Sequence, residues 1–338
     1  MSNTSATVFG AYGHTGRFVV AELRRRGWTV VLSGRNHARL LVAADGYPGA
    51  DVRVANVEDP ASLDIAISGS SAVINCAGPF LDTAIPIIGA AIRSGVHYLD
   101  VAAEQAAVLG VFDQFRADPR VKSIVIAPAM AFYGGLGDLM ATAAMGEWDR
   151  ADEICIAVAL DSWKPTHGTR LTGERNAGRR FIFSNNKLER ADPPPVRTWI
   201  FPAPFGEQQV VPLSLAETIT ISRHVRSPDI RVFMNLAPLA DLRNPDTPPP
   251  APVDESGRSS QVFVMDVVAR RERKERRVVA RGQDIYAVTA PIVVEATQRV
   301  VAGATRKTGV VAAGEAFDAR DFLNSLGRAL IDVDFHAR

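Results

Sequence analysis

Two rhythms of apolar and polar positions divide the chain. In the first 128 residues, short apolar runs at 6–11, 29–33, 51–55, 72–76, 96–100 and 123–127 read as strands. Between them lie helical patterns at 15–26, 36–44, 60–68, 83–94 and 108–117. Phe18, Val19 and Leu23 share one face of the first helix, and Pro60 stands where a first turn tolerates proline. Apolar strands of this length alternating with helices predict an α/β fold built on a parallel, doubly wound sheet.

Beyond Pro128 the pattern changes. Helix is predicted over 136–147, 169–178, 290–301 and 319–326, and strand over 153–160, 196–201, 218–222 and 230–235. Residues 238–252 are proline-rich and read as an exposed connector. Alternating Val and polar positions in 262–270 pair with 276–281 as a hairpin, and the charged run 270–277 reads as its solvated tip. This half predicts a second, mixed α+β unit.

Composition narrows the function. The 338 residues are 47% hydrophobic and 22% charged, the length and make-up of two globular domains. A net charge of +1 gives no reason to expect nucleic acid or a membrane surface as partner. Cys76 and Cys155 are too few for a disulfide framework or a Cys-based zinc site, and fit a reducing, cytoplasmic setting. No apolar run reaches the roughly 18 residues of a membrane span, and residues 1–7 lack the features of a signal peptide. The six histidines show no two-His helical spacing, so no metal site is expected.

The first strand runs into Gly10-Ala11-Tyr12-Gly13-His14-Thr15-Gly16, which opens the first helix. Gly10 permits a tight turn, Gly13 lets backbone approach a pyrophosphate, and Gly16 allows close helix–strand packing. The helix N-terminus offers N–H groups to the anion. Thr15 caps the helix or touches phosphate, and His14 reads as a bystander beside phosphate rather than an acid or base. About 20 residues on, where NAD-binding folds carry an acid, stands Arg35 within Ser33-Gly34-Arg35-Asn36. A guanidinium there suits a 2′-phosphate, which predicts NADP (NADPH) over NAD. Asn56 falls at the adenine pocket. Cys76, Ala77, Gly78 and Pro79, after Asn75, fall beside the ribose and nicotinamide, with Cys76 in a packing role.

Gly10–Gly16, Ser33–Arg35, the segment 74–80 and the segment Gly95-Val96-His97-Tyr98-Leu99-Asp100 together resemble the saccharopine dehydrogenase (saccharopine reductase) family. Similar pieces recur at 134–138, 168–170 and 309–326. The likeness is dense over 6–140 and thin over 150–300. It departs from the family pattern at Ala102-Ala103-Glu104, where a glycine often precedes the glutamate. The resemblance implies a Rossmann NADP-binding domain (1–128), an inserted α+β substrate domain (129–305) and a segment returning to the Rossmann domain (306–338). It implies NAD(P)(H)-dependent hydride transfer. Saccharopine reductase-like members act on an imine or secondary amine joining two amino acids, and others reduce a C=C bond as trans-acting enoyl reductases. A non-catalytic NADP-binding regulator is the reading from another class.

None of the five tyrosines has Lys four residues later, so the Tyr-x-x-x-Lys acid of short-chain dehydrogenases is absent. Sheets of this type bind ligands beyond their carboxyl edge. That places Tyr98, Asp100 and Glu104 near the nicotinamide as catalytic candidates: Tyr98 as proton donor or packing residue, Asp100 as amine-orienting carboxylate or helix cap. Residues 163–170, from Trp163 to Arg170, form either a substrate-carboxylate arm or a plain loop. Arg175, Arg179 and Arg180 read as a solvated helix face, and Arg223-His224 is an outlying candidate. A sheet face in the second unit is expected to carry a homodimer contact.

Overall fold

The computed structural model describes residues 4–176, 180–190, 195–327 and 330–337. The first half alternates β1 (Ser5–Phe9), α1 (His14–Arg25), β2 (Thr29–Gly34), α2 (His37–Asp45), β3 (Asp51–Val54), α3 (Pro60–Ile67), β4 (Ala72–Asn75), α4 (Phe80–Ser94), β5 (His97–Asp100), α5 (Gln105–Phe115) and β6 (Val125–Ala127). After a kinked turn, Phe132–Leu136, come α6 (Gly137–Met145), β7 (Glu153–Leu160), α7 (His167–Arg175), β8 (Phe181–Ser184), β9 (Lys187–Arg190), β10 (Arg197–Ile200), β11 (Glu207–Pro212), α8 (Ala216–Ser222), β12 (Ile230–Asn235) and α9 (Leu236–Arg243). The chain ends with β13 (Val262–Arg271), β14 (Lys274–Gln283), α10 (Thr289–Val301), β15 (Gly309–Val310), α11 (Ala313–Ala316), α12 (Ala319–Ser325) and β16 (Ile331–Ala337).

The first sheet is wholly parallel, in the order β15-β6-β5-β4-β1-β2-β3. The order reverses between β1 and β4, the switch point where a doubly wound sheet opens a crevice at its carboxyl edge. β4 is buried throughout and apolar up to its last residue, Asn75, as a strand covered on both faces must be. The second sheet runs β10-β11-β12-β7-β13-β14-β16 and is antiparallel except for β12 on β7. One continuous core joins the two sheets, from Val8 and Ile74 to Val158 and Phe263.

Three expectations need correction. Residues 218–222 are helix, not strand: α8 is buried on all sides between α5 and the kinked turn, so its Thr-Ile alternation reports no half-buried face. The proline-rich connector begins with α9, because Pro238 falls in a first turn, whose N–H groups have no intrahelical acceptor. The segment 306–338 is divided: β15 pairs with β6 in the parallel sheet, while β16 pairs with β14 in the mixed sheet. In addition α10, inside the expected insert, packs on α1 and against β4 and β5. Arg26 of α1 bonds Glu295 and Gln298 of α10 across that contact.

Candidate active site

A cleft of about 2030 Å³ lies along the carboxyl edge of the parallel sheet, between it and the second unit. Gly10, Tyr12, Gly13, His14 and Thr15 line one end. The Gly10 and Ala11 amides bond to the Ser33 carbonyl at 2.8 and 3.2 Å, which pins the loop to β2. Gly10 has φ +84°, and a Cβ there would stand 2.9 Å from the Ala77 nitrogen. A Cβ on Gly16 would come within 2.2 Å of the Gly10 carbonyl oxygen. The loop therefore closes tightly on both β4 and α1. The first turn of α1 carries no acid and no side-chain cap, so its N–H groups remain for an anion.

Arg35, at the end of β2, is exposed and lines the cleft. So does Arg39, one helical turn further on, which the sequence did not single out. Its guanidinium sits 4.5 Å from the Tyr12 ring centroid, and the Tyr12 ring lies against Gly34. Asn36 instead caps α2, accepting from the Arg39 amide. The Asn56 side chain turns back to the Glu58 amide while the residue lines the cleft. Ser33 is buried and reaches the site only through its carbonyl. Two guanidiniums, a stacked tyrosine and an uncapped helix start make a donor set that fits a dinucleotide carrying a 2′-phosphate.

Cys76, Ala77, Gly78 and Pro79 line the cleft next to this end. Burial pushes the Cys76 thiol far above its usual range, so it stays a neutral packing group. Asn75 accepts from the Ala77 amide and donates to Thr83 and to the Tyr98 hydroxyl, which fixes the turn after β4.

The three catalytic candidates occupy different places. Tyr98 and Asp100 are buried and do not line the cleft. The Tyr98 hydroxyl donates to Asp100 Oδ2 at 2.8 Å, and Asp100 Oδ1 accepts from the Ala102 and Ala129 amides. Asp100 therefore ties the end of β5 to the turn after β6. Burial raises its pKa to about 6, although those three donors pull the other way. Glu104 does line the cleft, with both oxygens engaged: Oε1 accepts from the Phe80 amide at 2.8 Å and from Thr172 Oγ1 at 3.2 Å, and Oε2 from the Leu81 amide at 3.4 Å. It caps α4 and fastens α7 to the parallel sheet.

The segment 163–170 reaches the cleft through Trp163 and residues 166–170. The Tyr286 hydroxyl gathers it, bonding Trp163 Nε1 at 3.0 Å and Thr169 Oγ1 at 2.9 Å. The Tyr286 ring meets the His14 imidazole edge-on at 5.2 Å, so the phosphate loop touches the second unit there. Burial and neighbouring Arg17 lower the His14 pKa to about 4, leaving it neutral. Tyr286 stands some 270 residues beyond His14, and no local pattern marked it. Arg175 pairs with Asp82 of α4, Arg180 lines the cleft, and Arg179 lies outside the described residues. Arg223 and His224 stand elsewhere, beside Asp113 and Asp138. Among the described residues no His, Cys, Asp and Glu group is placed to hold a metal, and no helix is long and apolar enough to cross a membrane.

Residues 6–120 match the family model described as the saccharopine dehydrogenase NADP binding domain. A bovine saccharopine dehydrogenase-like oxidoreductase is 31% identical over 117 residues, 29% of this chain and 27% of that one. A probable mitochondrial saccharopine dehydrogenase-like oxidoreductase of Arabidopsis thaliana is 32% identical over 112 residues, 29% of this chain and 25% of that one. The chain thus spans about a quarter of the length of these curated relatives. Among solved structures, apo saccharopine dehydrogenase (L-Glu forming) from Saccharomyces cerevisiae aligns with 98% of this chain and 100% of its own. The TM-score is 0.68 and the identity 12%, a likeness of fold. Residues 6–120 are thus similar to the saccharopine dehydrogenase NADP binding domain, and the chain as a whole shares the fold of saccharopine dehydrogenase.

Proposed function

We propose that the chain is an NADPH-dependent oxidoreductase that moves hydride to or from the carbon of a C=N bond. The carrying observation is the single cleft, in which the phosphate loop and the end of β4 share walls with Trp163, Tyr286 and α7 of the second unit. The bound nicotinamide supplies or accepts the hydride. The amides of α1 would hold the pyrophosphate, and Arg35 and Arg39 would take the 2′-phosphate. Ala77 and Gly78 would leave room for a nicotinamide ring, and Trp163 and α7 would exclude water from it. An iminium nitrogen already carries its proton, so its reduction asks no acid of the protein. That agrees with Tyr98 and Asp100 being sequestered from the cleft. Saturating a C=C bond would require a proton delivered to carbon, and neither buried group is placed to give one.

The test uses NADPH deuterated at the transferring carbon, incubated with amine–carbonyl mixtures that form imines. Deuterium in the resulting secondary amine is the expected result. Label transfer to enones and to no imine would overturn the C=N assignment, and failure to bind NADPH would overturn the whole reading.

A further inference from the structure

The second unit's share of the cleft wall is polar and charged along α7 but carries an apolar stretch beside it. Trp163 precedes α7, Leu213 and Leu215 lie between β11 and α8, Leu239 and Leu242 come from α9, and Pro249 follows it. Trp163, Leu213 and Leu239 are largely withdrawn from solvent, so this wall is shaped, not a loose surface. A site for a small hydrophilic diacid would not present so much hydrocarbon.

Cations on the same cleft divide into two groups. Arg170 is spent on the Asn244 and Thr247 carbonyls, which anchors the strap after α9, and Arg175 is spent on Asp82. Arg180 and Arg243 also line the cleft, and neither has an ion pair or hydrogen bond among the described residues. Both are exposed on the cleft rim, and partial desolvation, followed by the Arg243 charge, lowers the Arg180 guanidinium from the ordinary arginine range. Two like charges held together without an anion repel one another, and an oxyanion between them would relieve that cost with forked hydrogen bonds.

We propose that the substrate is amphipathic: an apolar chain or ring seated on the leucine wall, with a carboxylate or phosphate held between Arg180 and Arg243. This rests on the oxidoreductase reading for the reaction but stands on its own for binding. It separates this cleft from one that selects two hydrophilic amino-acid halves.

Calorimetric titration with decanoate, decyl phosphate, decanol and 2-oxoglutarate, each with and without NADPH, tests it. One of the two anionic decyl compounds should bind about tenfold tighter than decanol, and which one does so identifies the head group. 2-Oxoglutarate should bind more weakly than that compound. Arg180→Gln and Arg243→Gln should each remove most of the anionic advantage and leave decanol binding and NADPH affinity in place. Leu242→Asn should weaken decanol and the anionic compound alike. Equal affinity for decanol and both anions, tighter binding of 2-oxoglutarate, or indifference to both arginine substitutions would overturn the proposal. NADPH binding without amphiphile binding sinks this inference alone, whereas amphiphile binding without NADPH binding sinks the oxidoreductase reading alone.

Discussion

Replacing Arg35 by Ala should weaken NADPH binding and leave NADH binding unchanged. Arg35 stands exposed at the end of β2, in the position where an acid would accept from a ribose 2′-hydroxyl, and it lines the cleft. A hydrogen bond between charged partners contributes about 1.5–3 kcal/mol, or roughly 10- to 150-fold in Kd. Exposure to solvent places Arg35 at the low end of that range, because water and salt screen an open ion pair. We therefore expect a loss of about tenfold for NADPH. Arg39 is held differently: its guanidinium rests 4.5 Å from the Tyr12 ring centroid, a contact that contributes about 0.5–1 kcal/mol at an exposed site and pre-orients it. Arg39→Ala should cost several-fold, and the double variant should depart from additivity because both groups would share one phosphate. Fluorescence titration of both cofactors at low and physiological ionic strength reads these values. The NADPH advantage should shrink as salt rises. Equal affinities for NADPH and NADH in the parent protein, or an Arg35→Ala variant that weakens both alike, would refute the reasoning.

Gly16→Ala should weaken NADPH binding by about tenfold or more, because overpacking of this kind costs about 1–3 kcal/mol and the new Cβ would fall 2.2 Å from the Gly10 carbonyl oxygen. The same titration checks it. Asp100 holds a proton in the folded chain up to about pH 6, whereas an unfolded Asp releases it near pH 3.9, so it lowers stability as pH rises through that window. Asp100→Asn should flatten the denaturant midpoint between those values and leave NADPH affinity and single-turnover hydride transfer intact; a collapse of the turnover rate alone would restore Asp100 to the reaction. His224 acts in the same direction, in a higher pH window. Its ion pair with buried Asp138 at 2.7 Å, with Glu315 nearby, raises its pKa against the effect of burial and of Lys307. The stability it contributes is complete below the unfolded value of about 6.5 and is lost as pH rises through the folded value. His224→Gln should remove that alkaline loss in urea denaturation.

The cofactor half was legible because its signals are local. A glycine loop, the end of the strand it leaves and the end of the next strand in the sheet each lie within a few residues of a recognisable pattern. The structure sets Gly10, Gly13 and Arg35 along one cleft. Arg39 was missed because its role depends on stacking across a loop onto Tyr12, which no spacing rule encodes. Tyr98 and Asp100 were placed at the correct strand end, but period alone does not say whether a side chain there faces the cleft or the interior. The Asn75–Tyr98–Asp100 network turns both inward. In the second unit, α8 was misread because burial on all sides erases the periodic contrast by which helix and strand are told apart.

The non-local parts of the site follow from the route of the chain. It leaves the parallel sheet at β6, builds β7 to β14, and then returns through α10 onto α1 before closing with β15. Because α10 packs on the helix that the phosphate loop opens, the residues just ahead of α10 are delivered to the cofactor end of the cleft. Tyr286 is one of them, three residues before α10. Its ring touches His14 of the loop, and its hydroxyl holds Trp163 and Thr169 at the start of α7. Glu104 and Asp82 hold the same helix from the other side, through Thr172 and Arg175. The helix that covers the cleft is therefore fastened at one end, through Tyr286, to the glycine loop and at the other to the N-terminal region of α4, beyond Gly78 and Pro79. The walls contributed by the two units share one continuous apolar core. Tyr286 therefore ties the glycine loop to Trp163 and α7 by direct contact, with no linker between them.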